Sequence, residues 1–188
     1  MTDSALSAAA RVVVGVSGSL GSLTALARAA EEARCREAQL WPVLAWEPPG
    51  GELGARRAAG SSALAAGCAR LAGERLLKAL DGVLGPGDPA VPVRALVARG
   101  VPGPVLVGIA CEDNDVLVVG TGRRGWLRRA LWPSTSRYCL AHALRPVLAV
   151  PPSPLQAALE TVHRRNAWRR RLDAGHVAGD PRRLPPTG

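Results

Sequence analysis

Two stretches of this chain gather serines, threonines, glycines and arginines, which are the residue types that hold an anion. The first is SGSLGS at 17–22. The second runs GTGRRG at 120–125 and continues to STS at 134–136. Each follows a β-branched run, RVVVGV (11–16) or DVLVV (115–119). A turn that leaves a strand and opens a helix presents backbone N–H groups and hydroxyls where a phosphate can sit. Arg123, Arg124, Arg128 and Arg129 add four positive charges in seven residues, and a guanidinium meets phosphate as a planar charged fork. The same residues have plainer uses. Ser134 can serve as a helix N-cap, and the arginines can form a solvated basic loop. Trp126 and Trp132, beside those arginines, can stack on bases or pack at a sheet edge or subunit contact; packing is the favoured reading.

Other reactive groups stand apart from one another. SGSLGS is spaced G-x-x-G, not G-x-G-x-x-G, and Glu47 is the nearest acid to act on a ribose, which argues against a dehydrogenase. His142 lies in a helical stretch with no carboxylate or serine set against it. Glu112, Asp113 and Asp115 read as a solvated turn before a strand. Cys35, Cys68, Cys111 and Cys139 form no CxxC and no His/Cys cluster, so no metal site is expected. With no triad and no paired carboxylates, the chain is not read as an enzyme.

The elements that position these residues alternate. Strands are expected at 11–16, 40–46, 90–98, 115–119 and 146–150, with helices at 23–38, 55–81, 105–112 and 134–144. Pro42 is expected near the start of its strand or at a bulge, because proline cannot donate to a central ladder. Strands alternating with helices imply a parallel sheet covered on both faces. In such a sheet ligands bind beyond the C-terminal strand ends. The turns after the first and fourth strands should therefore lie side by side.

Composition sets the background. The chain has 188 residues, no Phe and one Tyr, so its core must come from Ala, Val and Leu. Arginine outnumbers lysine 23 to one, and the net charge is +9. Residues 151–188 hold seven arginines against three acids, so the tail is the most basic part. Charge alone is a weak sign of nucleic acid, and that partner is disfavoured. No apolar run approaches the ~18 residues of a membrane span, and no secretory leader is read at the N-terminus. A cytoplasmic protein with reduced, buried thiols is the expectation. The organisation reads as a flexible N-terminus (1–10), one domain (11–151), and a basic Pro/Arg-rich tail (152–188) that is partly helical and suited to an acidic protein partner.

Over residues 10–151 the chain resembles the universal stress protein family. VVVGVSGSLGSLTALARAAEEA is similar to the family's opening strand, loop and helix. DVLVVGTGRRGWLRRALWPSTSRYCLAHALRPVLAVPP is similar to its closing half, without gaps. The resemblance implies an α/β fold, an open parallel five-stranded sheet of order 3-2-1-4-5 with helices on both faces. It also implies a homodimer through the last strand, a role in stress response without catalysis, and, in many members, bound ATP or AMP.

The nucleotide-binding branch reads Gly, two residues, Gly, nine residues, Gly, then Ser or Thr. In the ungapped register Gly120 fills the first position, Arg123 and Pro133 replace the other glycines, and Ser134 supplies the hydroxyl. A second register starts at Gly122, keeps Gly125 and reaches Thr135. Binding members place an Asp after the first strand, and here Ser17 stands there. By this resemblance a nucleotide would touch Gly15, Val16, Ser17, Ala45, Val119, Gly120, Gly122, Arg123, Ser134, Thr135 and Ser136. The alternative is a nucleotide-free dimeric module that recruits an acidic partner, or nucleic acid, through its Arg-rich loop and tail.

Overall fold

The computed structural model describes residues 10–48, 50–51, 61–85, 91–121 and 134–153. Nearly all belong to the first of two units, Met1–Pro152 and Ser153–Gly188. The arginine-rich loop and almost all of the basic tail and N-terminus lie outside the described residues.

Side-chain alternation along the strands sets the layers. Val12 and Val14 of β1 (Arg11–Gly15) and Val116 and Val118 of β4 (Asp115–Gly120) face one side. They pack against α1 (Leu20–Cys35) and α2 (Ser61–Leu84). Val13, Leu117 and Val119 face the other side, with Leu106 of α3 (Pro102–Ile109) and Cys139 of α4 (Thr135–His142). β2 (Gln39–Trp46), β3 (Leu96–Arg99) and β5 (Val147–Val150) complete a parallel sheet of order β3-β2-β1-β4-β5. Strands buried on both faces are continuous apolar runs because neither face meets water. Each fully buried Val or Leu contributes roughly 1.5–3 kcal/mol. In the absence of Phe, close approach does the rest: Ala25, Ala29 and Ala33, fully buried on α1, let that helix lie near the sheet.

Element ends depart from the expectations for local reasons. α1 stops at Cys35, three residues early. The amide of Ala38 donates to Ala33 O (2.9 Å) and that of Glu37 to Arg34 O (3.3 Å), while Glu37 takes φ +52°. This is a Schellman stop without the usual glycine. α3 starts at Pro102, a preorganised first-turn residue. The third strand shrinks to Leu96–Arg99 plus a single bridge, Leu40 to Val93.

Pro42 accounts for that break. It lies fully buried inside β2, opposite Val14, not at its start or at a bulge. The backbone of Leu40 bonds toward Pro92 and Arg94, so residue 42, two positions on, also faces the β3 side. Its missing N–H falls where pairing lapses between Val93 and Leu96. The ladder to β1 is untouched.

The reading of Asp115 as solvated is overturned. It is only 2% exposed. Arg11 grips it through Nε (2.7 Å) and Nη2 (2.5 Å), and the Glu112 amide donates to its Oδ2 (2.9 Å). The carboxylate raises the Arg11 pKa above its ordinary value, chiefly through this hydrogen bond. Arg11 also lies over the Trp41 ring, 4.5 Å from its centroid. Glu112 and Asp113 remain exposed. Cys139 alone is a buried thiol; Cys35 and Cys111 are exposed and Cys68 is half-buried. Burial pushes the Cys139 thiol up to about 11.

Asp115→Ala would leave the Arg11 guanidinium without its carboxylate. Breaking a buried pair costs about 3–5 kcal/mol. Urea unfolding should show a loss of that order, near its lower bound because Arg11 keeps some solvent contact.

Candidate functional site

β1 and β4 are neighbours, but the helices that follow them cover opposite faces of the sheet. A crevice opens at such a switch point. Its two turns are held by backbone bonds to the adjoining strands: Val16 N–H donates to Val43 O and Thr121 N–H to Val150 O, both at 2.8 Å. They are brought together by Gly120. A Cβ at that position would lie 2.5 Å from Gly21 O and 3.0 Å from Gly21 C. Only glycine allows the end of β4 to rest against the first turn of α1. Gly15 plays a similar part below, since a Cβ there would meet Leu106 Cδ1 at 2.7 Å.

Hydroxyls organise the rim. Ser19 caps α1, accepting from the Ser22 amide (3.3 Å), and its Oγ lies 3.0 Å from Ser17 Oγ. Ser22 Oγ donates to Ser19 O (2.8 Å) and accepts from the Ser17 amide (3.2 Å). Across the cleft Ser134 caps α4, accepting from the Arg137 amide (3.3 Å), with Ser136 Oγ 2.8 Å away. The capping role expected of Ser134 is thus realised, and its hydroxyl still borders the cleft. α1, α3 and α4 all begin here, and none has an acid in its first turn. Their partial positive ends remain available to an anion.

The cleft holds about 400 Å3, within the ~300–1,000 Å3 of small-molecule sites. Gly15, Val43, Ala45, Leu106 and Val119 give it apolar walls. Val16, Ser17, Gly120, Ser134, Thr135 and Ser136 also line it, so nine of the residues expected at the site share one cavity. Gly122 and Arg123 lie outside the described residues. Sequence reading did not select Ser19, Gly21, Ser22, Val43, Pro102, Leu106, Thr121, Arg137 or Leu140, which line the same space. Val43 could have been found from register, because it pairs with Gly15. Leu106 and Pro102 carry no local signal; α3 reaches the site only through packing.

The arrangement can bind but offers no described acid–base pair. No charged residue but Arg137 is found among the described lining residues. His142 turns to its own helix: its ring stacks on Tyr138 at 4.1 Å, and Nδ1 lies 2.9 Å from Tyr138 O. No cluster of three metal-ligating side chains occurs among the described residues.

Gly120→Ala tests the construction. Backbone would have to move from backbone, and overpacking of this kind costs about 1–3 kcal/mol. The melting temperature should fall, while Gly108→Ala, in α3 where a Cβ meets nothing within 4 Å, should leave it unchanged or raise it slightly.

Comparison with known proteins places the chain. No curated protein matches it significantly. Among solved structures, hypothetical protein MJ0577 superposes with a TM-score of 0.58 at 15% identity, covering 77% of this chain and 96% of that one. Universal stress protein UspA from Lactobacillus plantarum gives 0.53 at 19%, covering 75% and 97%. Both are similar in fold. A universal stress protein in complex with cAMP is 28% identical, with a TM-score of 0.49 and coverage of 78% and 100%. The sequence model of the universal stress protein family matches residues 9–151, and the chain belongs to that family.

Proposed function

We propose that this protein is a cytoplasmic, non-catalytic regulatory module of the stress response whose cleft takes an adenine nucleotide, AMP or ATP. The observation that carries the reading is the cleft itself: apolar walls at one end, and hydroxyls with helix N-termini at the other. The base would lie along Gly15, Val43, Ala45 and Leu106. The phosphates would lie toward Gly120, Thr121 and Ser134–Ser136. Ser17 offers the nucleoside a neutral acceptor where a carboxylate would bring charge. Family membership supports the same ligand class. Melting the protein with AMP or ATP checks the reading. Nucleotide at 100 times its Kd should add about 2.7 kcal/mol of stability, and an unchanged melt at millimolar nucleotide would overturn it.

A homodimer through β5 is proposed alongside. β5 is an edge strand of sequence VLAV, and its first three residues are half-buried. Leu144, just before it, is 84% exposed. Unpaired apolar edges invite a partner strand. Light scattering should give twice the chain mass, reduced toward one chain mass by Leu144→Glu; a monomeric native protein would refute it.

A further inference from the structure

We propose that the cleft takes its anion bare, with Arg137 as the counter-charge and no divalent cation held by either of its two turns. This rests on the nucleotide reading above and adds how the phosphate charge is met.

The donor set is the first argument. Magnesium at a nucleotide site is held by one or two carboxylates together with the phosphates. Neither turn can supply one. No Asp or Glu occurs between Asp3 and Glu31, or between Asp115 and Glu160. Asp115 itself is bound to Arg11 at the start of β4, the opposite end of the strand from the cleft. Glu47, close in sequence to Ala45, is not among the lining residues.

Arg137 supplies the second argument. It is exposed and lines the cleft, and its guanidinium has no hydrogen bond or ion pair among the described residues. Arg28, Arg36, Arg70 and Arg145 each pair with a carboxylate instead. Arg137 is also the third residue of α4, one turn from the Ser134 cap. A cation there opposes the helix dipole. An anion in the cleft would relieve both the unmatched guanidinium and the uncompensated helix end. A magnesium ion already on the phosphates would compete with the same guanidinium, so the metal should weaken binding.

Calorimetric titration of the full chain with ATP, AMP and adenosine, in EDTA and in excess Mg2+, tests this, using wild type and Arg137→Gln. Wild type should bind ATP in EDTA at least as tightly as in Mg2+. Arg137→Gln should lose about tenfold or more in affinity for ATP and AMP, the worth of a charged hydrogen bond, with adenosine nearly unaffected and the ligand-free melt unchanged or slightly raised by relief of the helix dipole. Binding that requires Mg2+, or that ignores Arg137→Gln, would overturn the proposal while leaving the nucleotide reading in place. Wild type that binds none of the three would defeat the reading beneath it.

Discussion

The backbone contact between Gly120 and Gly21 governs this molecule. β4 ends against the first turn of α1 with no side chain between them. From that contact follows the nearness of two turns far apart in the chain, and with it the cleft. The sheet supplies the strands, and Arg11 with Asp115 fixes β1 to β4 at their other ends, in a pairing of residues 104 positions apart. The strand pair is thus clamped below by charge and joined above by close approach. The space between its outgoing helices is bounded on both sides by rigid elements.

The cleft's character comes from what its walls lack as much as from what they contain. The two turns carry hydroxyls and helix starts, with no acid in either. Serine caps do double duty: Ser19 and Ser134 satisfy amides of their own helices and still present oxygen to the cavity. A capping hydroxyl is held in one place by its helix, so a ligand would meet it already oriented, which lowers the entropy cost of binding.

Much of this is legible in the sequence because the βα alternation and the two glycine-rich turns are local signals. Continuous β-branched runs locate β1 and β4, and glycine with serine or threonine after each marks the turns. What escapes is set by distant partners. Asp115 sits beside Glu112 and Asp113 and so reads as a surface acid, yet Arg11 buries it. Pro42 reads as a strand boundary because the rule concerns lost donors. The sheet keeps it inside β2 by letting the lapse fall on the β3 side only. Leu106 enters the cleft because Gly15 leaves room for it, a fit that exists only after folding. α1 ends early on Glu37 in a left-handed conformation, with no glycine to announce it.

The two borders of the sheet are chemically unlike. Along β3, Arg94 and Arg99 lie over the rings of Trp41 and Trp46, so that border is lined with positive charge. β5 presents only aliphatic residues. A protein with two bare borders could stack copy upon copy into a fibre. In the proposed dimer, joining through β5 would consume the aliphatic border and leave arginine-lined ones outermost, so growth would terminate at a closed pair.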